Sequence, residues 1–209
     1  RFWVGFRMII KWVRRNDPAM PTTIRFKFNA LKTVQIVAMF LSMHGGTMKY
    51  LGLLKLLYLA DRLALTRLDH PLSGDRYCSM EFGPVMSKTY DLIKNKPMFR
   101  NIEIWKKYIS TRDESLDYMV ELLTHPGDDE LSQEEEEIIR EIYAKHGHQD
   151  RFDLAELTHD LPEWEDPGKS SIPIDIEKLL KYLGKSQKEI ESIKEIVVRE
   201  AYLDKILNG

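Results

Sequence analysis

The residues best placed to do chemistry form one short string, His146-Gly147-His148-Gln149-Asp150. Neutral imidazoles and carboxylates bind divalent metals, and alternate residues of an extended segment can converge on one ion. A metal-dependent hydrolase using His146, His148 and Asp150 is therefore one reading. Two features weigh against it. Hydrolases with this pattern continue it with a further histidine, where this chain has Arg151, and they place it after a buried strand, whereas here it follows a polar helix. The competing reading is a helix C-terminus, where histidines complement the macrodipole and Gly147 supplies the cap. No metal and no cofactor is expected.

The only cysteine, Cys78, excludes a disulfide framework and a cysteine-rich zinc site. Nothing fixes a histidine beside it, so it reads as a small buried residue, not as a nucleophile. A lone thiol fits a reducing cytoplasm. No G-x-x-x-x-G-K-[ST] string is present to cradle a phosphate. The acidic run Asp128–Glu130 and Glu134–Glu137 reads mainly as a solvated helix start, with contact to a basic partner as the alternative. No catalytic residue is assigned.

Periodicity places these residues on helices and short strands. Asn29 caps a helix with Leu31, Val34, Val37 and Leu41 at helical spacing, ended by Gly45-Gly46. Thr47 is expected to cap a second helix to about Thr66, whose leucines predict the central, most buried element. A helix, a glycine turn and a helix suggest a DNA-reading motif, but the second helix is too apolar for a recognition helix. Leu68–Asp75 is turn chemistry, and Arg76–Phe82 alternates as a short strand. Gly83-Pro84 is expected to break that strand before a helix over Val85–Lys94. Asn101–Thr111 and Ser115–Thr124 read as a β-hairpin, with a helix over Leu116–Leu123 as its competitor.

Downstream, Ser132 and Glu135 form a capping box for a helix to about Lys145. Shorter helices cover Asp153–Asp160 and Asp175–Tyr182. A second capping box, Ser186 and Glu189, opens a last helix with Ile190, Ile193, Val197, Ala201 and Ile206 on one face. The expected fold is α+β, mostly α: a single helical domain with a small β-hairpin or short sheet.

The chain of 209 residues is 43% hydrophobic and 31% charged, enough for one sizeable core. No run of eighteen apolar residues exists to span a membrane, and a formal net charge of −2 argues against stable nucleic-acid binding. Residues 1–21 form a basic, apolar arm, RFWVGFRMIIKWVRR and a breaker-rich link, before a globular domain over 22–209. Four readings of the arm stay open: a fusion remnant, translation upstream of a start at Met8 or Met20, a membrane-surface helix, or a segment that docks on the domain.

Three segments, taken in order, resemble one family. They are Leu53-Leu54-Lys55-Leu56-Leu57-Tyr58-Leu59-Ala60-Asp61-Arg62; Pro71 to Arg76 followed by Met80-Glu81-Phe82-Gly83-Pro84-Val85 and Tyr90; and Leu131-Ser132 followed by Leu157 to Trp164. Together they resemble the Panacea domain of SocA-like antitoxins, also found in phage-associated GepA-type proteins, over about Ala30 to Tyr182. The resemblance implies a protein that neutralises a co-encoded toxin by binding it. A proteolytic adaptor that delivers a toxin to an ATP-dependent protease is the alternative. Because this domain is paired with many unrelated toxins, the resemblance does not name the partner and brings no catalytic site.

Tyr58, Arg62, Arg76, Glu81, Gly83, Pro84, His159 and Trp164 are the motif residues that emerge as partner-binding candidates. Packing explains many of them equally well. Glycine admits a tight turn, proline starts the next element, and Trp164 can plug the core with its N–H on a carbonyl.

Overall fold

The computed structural model describes residues 23–96, 102–113 and 118–208. The basic arm, residues 1–21, lies outside them. Helices dominate, joined by two small antiparallel sheets, so the fold is α+β and mostly α.

Asn29 caps α1 (Ala30–Met43) by accepting a hydrogen bond from the Lys32 amide, and Gly45 and Gly46 end it at φ +86° and +93°. The expected cap at Thr47 is replaced by β1 (Thr47–Lys49), and α2 (Tyr50–Leu68) begins three residues later. The cause is tertiary: β1 pairs with β5 (Met119–Leu122), a strand about seventy residues away in sequence. As expected, α2 is the spine of the core, buried continuously from Leu51 to Asp61. It packs against α5 (Gln133–His146), α6 (Arg151–His159) and β3 (Gly83–Met86).

Gly83-Pro84 does not break the chain into a helix. β2 (Tyr77–Met80) and β3 form a hairpin whose two-residue turn is Glu81-Phe82, and α3 is confined to Ser87–Ile93. The first strand of the expected hairpin, Asn101–Thr111, is largely helical instead: α4 (Ile102–Tyr108) runs directly into β4 (Ile109–Arg112), which pairs with β5. That leaves the strand, not the competing helix, over Met119–Leu122. The sheets have orders β1-β5-β4 and β3-β2-β6, with β6 only Ile172–Pro173.

Both capping boxes form. Ser132 and Glu135 exchange side-chain and backbone hydrogen bonds at the start of α5, and Ser186 and Glu189 do so at the start of α8 (Gln187–Asn208). Between them, Asp175 caps α7 (Ile176–Tyr182). The face expected on α8 is correct only in its first half. Ile190, Ile193 and Val197 are buried, but Ala201 and Ile206 are exposed because the helix runs on beyond the core.

Candidate functional site

The motif residues converge where the β2–β3 hairpin crosses α2 and meets the end of α6. Tyr58 and Arg62 sit one turn apart on α2, so their side chains leave the same face. Both reach the buried carboxylate of Glu163: Tyr58 Oη donates at 2.9 Å and Arg62 Nε at 2.7 Å. Burial, reinforced by that carboxylate, pushes the Tyr58 hydroxyl well above its usual range. Next in sequence, Trp164 turns the other way, donating its Nε1–H to the carbonyl of Met80 at 3.1 Å and stacking on His159 with ring centroids 4.2 Å apart. His159 Nε2 is buried without a hydrogen-bond partner among the described residues.

Gly83 is required here twice over. Its φ is +91°, and a Cβ at this position would stand 2.5 Å from Thr158 Oγ1 and 2.9 Å from Lys55 Nζ. The hairpin therefore rests directly on the end of α6. Lys55, fully buried among the leucines of α2, donates to the carbonyl of Pro84 at 2.9 Å, and burial lowers its amine to about 7.

Two buried aspartates hold the other end of the hairpin. Asp61 accepts from the Leu72 and Ser73 amides, from Ser73 Oγ at 2.7 Å and from Tyr77 Oη at 3.0 Å. Burial raises its carboxyl to about 6 against the pull of those bonds. Asp75 accepts from the Arg76, Lys88 and Thr89 amides and from Thr89 Oγ1, satisfying first-turn donors of α3 that no intrahelical partner reaches.

Tyr58, Arg62, Gly83, Pro84, His159 and Trp164 thus form one clamp. Glu81 is exposed at the hairpin tip beside Phe82. Arg76 is exposed at the far end of the strand, where its carbonyl accepts from the Ser87 amide. Sequence reasoning quoted Glu163, Lys55, Asp61 and Asp75 inside the motifs but gave them no role. The available signal was a lone lysine and a lone aspartate in the leucine-rich stretch of α2.

The histidine string is dispersed among structural tasks. His146 is buried with Nδ1 3.0 Å from Gln149 Oε1, His148 meets the ring of Tyr143 edge-on, and Asp150 caps α6 through the Phe152 amide. Gly147 follows α5 as expected, but at φ −64°. Its need is space, since a Cβ would fall 2.5 Å from the Tyr143 ring. Among the described residues, no group of three or more His, Cys, Asp or Glu is placed to hold a metal. The Cys78 thiol is pushed up to about 11, chiefly by burial, and stays protonated near neutral pH. Part of the acidic run also bonds back to the start of α1: exposed Asp129 accepts from Gln35, exposed Glu130 from Asn29, and buried Glu135 from Lys32.

A family model described as antitoxin SocA-like, Panacea domain, matches residues 53–165, more than half of the chain. The chain belongs to this family. Neither the curated proteins nor the solved structures offer a match. The matched Panacea segment contains the whole clamp, from Lys55 to Trp164. Family membership gives the chain an antitoxin-type role. Among the described residues, no helix is long and apolar enough to cross a membrane.

Outside the Panacea segment lies the most open apolar surface of the described residues. On α8, Ile196, Leu203, Ile206 and Leu207 are 41%, 47%, 59% and 78% exposed. Counted from Leu203, Ile196 lies seven residues before and Ile206 and Leu207 three and four residues after, which puts them along one side of the helix. Tyr202, on the same half of the helix, is half-buried.

Proposed function

We propose that this chain neutralises a co-encoded toxin by binding it directly, without catalysis, and that the distal half of α8 supplies the contact. The observation that carries the reading is the stripe Ile196–Leu203–Leu207, a set of large apolar side chains left open beyond the core. Solvent gives such a stripe no favourable neighbours, and a few buried apolar anchors supply most of an interface's affinity. Its position supports the assignment. The stripe lies outside residues 53–165, where a surface specific to one toxin belongs if the shared domain serves many partners. The clamp is then the scaffold: Tyr58, Arg62 and the Trp164 N–H all donate to acceptors within the fold, so it fixes the hairpin instead of offering these donors to a ligand.

Binding is tested by pull-down of each neighbouring gene product on the purified full chain. One product should be retained by the native chain and lost with Leu203→Asp/Ile206→Asp. Retention that is equal on both proteins would place the contact elsewhere.

A further inference from the structure

Outside the clamp, three tyrosine rings turn toward one ammonium. Tyr50 opens α2, Tyr90 lies on α3 and Tyr118 directly precedes β5, so three separate elements supply the faces. Lys94, which ends α3, sets its Nζ 3.5 Å from the Tyr118 ring centre, 4.6 Å from that of Tyr50 and 5.4 Å from that of Tyr90. All three distances fall inside the roughly 6 Å over which a ring face attracts a cation. The Tyr50 and Tyr118 rings stand edge to face, 5.6 Å apart at 81°, as two walls of a recess. Tyr118 Oη donates to the exposed carboxylate of Asp113, which adds negative charge at the rim.

The recess suits a cation, and suits another cation better than Lys94. All four side chains are half-buried, so it lies between the core and solvent. Ring faces attract cations and repel anions, and the attraction grows to about 2 kcal/mol once water is excluded. A primary ammonium is compact and strongly hydrated, so it gives up much of that gain on entering. A quaternary ammonium carries the same charge under methyl groups, which bury well against aromatic faces.

We propose that Tyr50, Tyr90 and Tyr118 form a binding site for a quaternary ammonium group, with Lys94 as an internal occupant that the ligand displaces. The ring faces supply the affinity, and Asp113 adds longer-range attraction. Lys94 supplies selectivity, because a tethered competitor at an effective concentration in the millimolar range turns away weakly bound cations. The site does not depend on how α8 is used, so it stands or falls apart from the toxin reading.

The test is a titration of the full chain with tetramethylammonium chloride, at an ionic strength held with sodium chloride, followed by NMR of the tyrosine rings. The rings of Tyr50, Tyr90 and Tyr118 should shift saturably. A site that Lys94 fills in about nine molecules of ten binds a guest about tenfold more weakly, so Lys94→Ala should tighten tetramethylammonium about tenfold. Lys94→Ala/Tyr118→Leu should lose the saturable shift. No saturable shift in Lys94→Ala, equal affinity in Lys94→Ala and the native chain, or equal binding after loss of Tyr118 overturns the proposal. A second readout needs no variant. The Lys94 Cε protons of the native chain, held over the rings, should move toward the position of a free lysine as the probe is added, and stay put in sodium chloride alone. Unmoved protons overturn the displacement. Choline and a peptide carrying trimethyl-lysine then separate the two sources of the group. Tighter binding of choline assigns a small molecule, and tighter binding of the peptide assigns a protein side chain. Binding of neither overturns the site as a receptor.

Discussion

Tyr58 and Glu163 lie 105 positions apart and meet in a 2.9 Å hydrogen bond. The carboxylate also takes Arg62 Nε at 2.7 Å and is itself 1% exposed. Removing it leaves a buried hydroxyl and a guanidinium facing no acceptor. Glu163→Ala should cost about 3–5 kcal/mol, and Tyr58→Phe about 1 kcal/mol, both read as shifts in urea unfolding. A Glu163→Ala variant within about 1 kcal/mol of the native chain would show that the clamp does not hold the fold.

Two glycines of similar backbone angle should respond differently to alanine. Gly83 has φ +91° with Thr158 Oγ1 and Lys55 Nζ inside contact distance, while Gly45 has φ +86° with nothing within 4 Å. Gly45→Ala carries backbone strain alone, about 1 kcal/mol, whereas Gly83→Ala adds a steric clash and should lose about 3 kcal/mol. Equal losses in thermal unfolding would contradict the close approach of hairpin and α6.

Lys55 gives a signed pH dependence. Its amine is lowered from 10.5 to about 7 in the folded chain. Between those values the unfolded chain binds more protons, so this residue makes stability rise with pH from about 7 to 10.5 and stay flat below. The quantity to measure is the native minus Lys55→Met difference in urea midpoint, which cancels other titrating groups. It should increase across that window. A constant difference would mean that Lys55 is not desolvated as its position requires.

The local signals in the sequence were sound where chemistry and geometry are both local. Asn29, Ser132 with Glu135, and Ser186 with Glu189 all cap the helices expected of them, and the Trp164 N–H does bond a carbonyl. Errors arose where a distant partner decides. Thr47 looks like a helix cap until β5 arrives to pair with it, and Val85 joins a strand because Cys78 lies opposite. Ile102–Tyr108 has strand-like composition, yet it forms a helix whose Trp105 is fully buried. The clamp was half legible. Its family motifs named most members, but the role of Glu163 depends on a contact that no local pattern encodes.

The central claim, neutralisation through the stripe on α8, is tested most directly by growth rescue. Cells expressing the co-encoded toxin should grow when the native chain is co-expressed. They should fail to grow with Leu203→Asp/Ile206→Asp, accumulated to the same level and with native far-UV circular dichroism. Full rescue by that variant, or no rescue from any neighbouring toxic gene product by the native chain, would contradict the account.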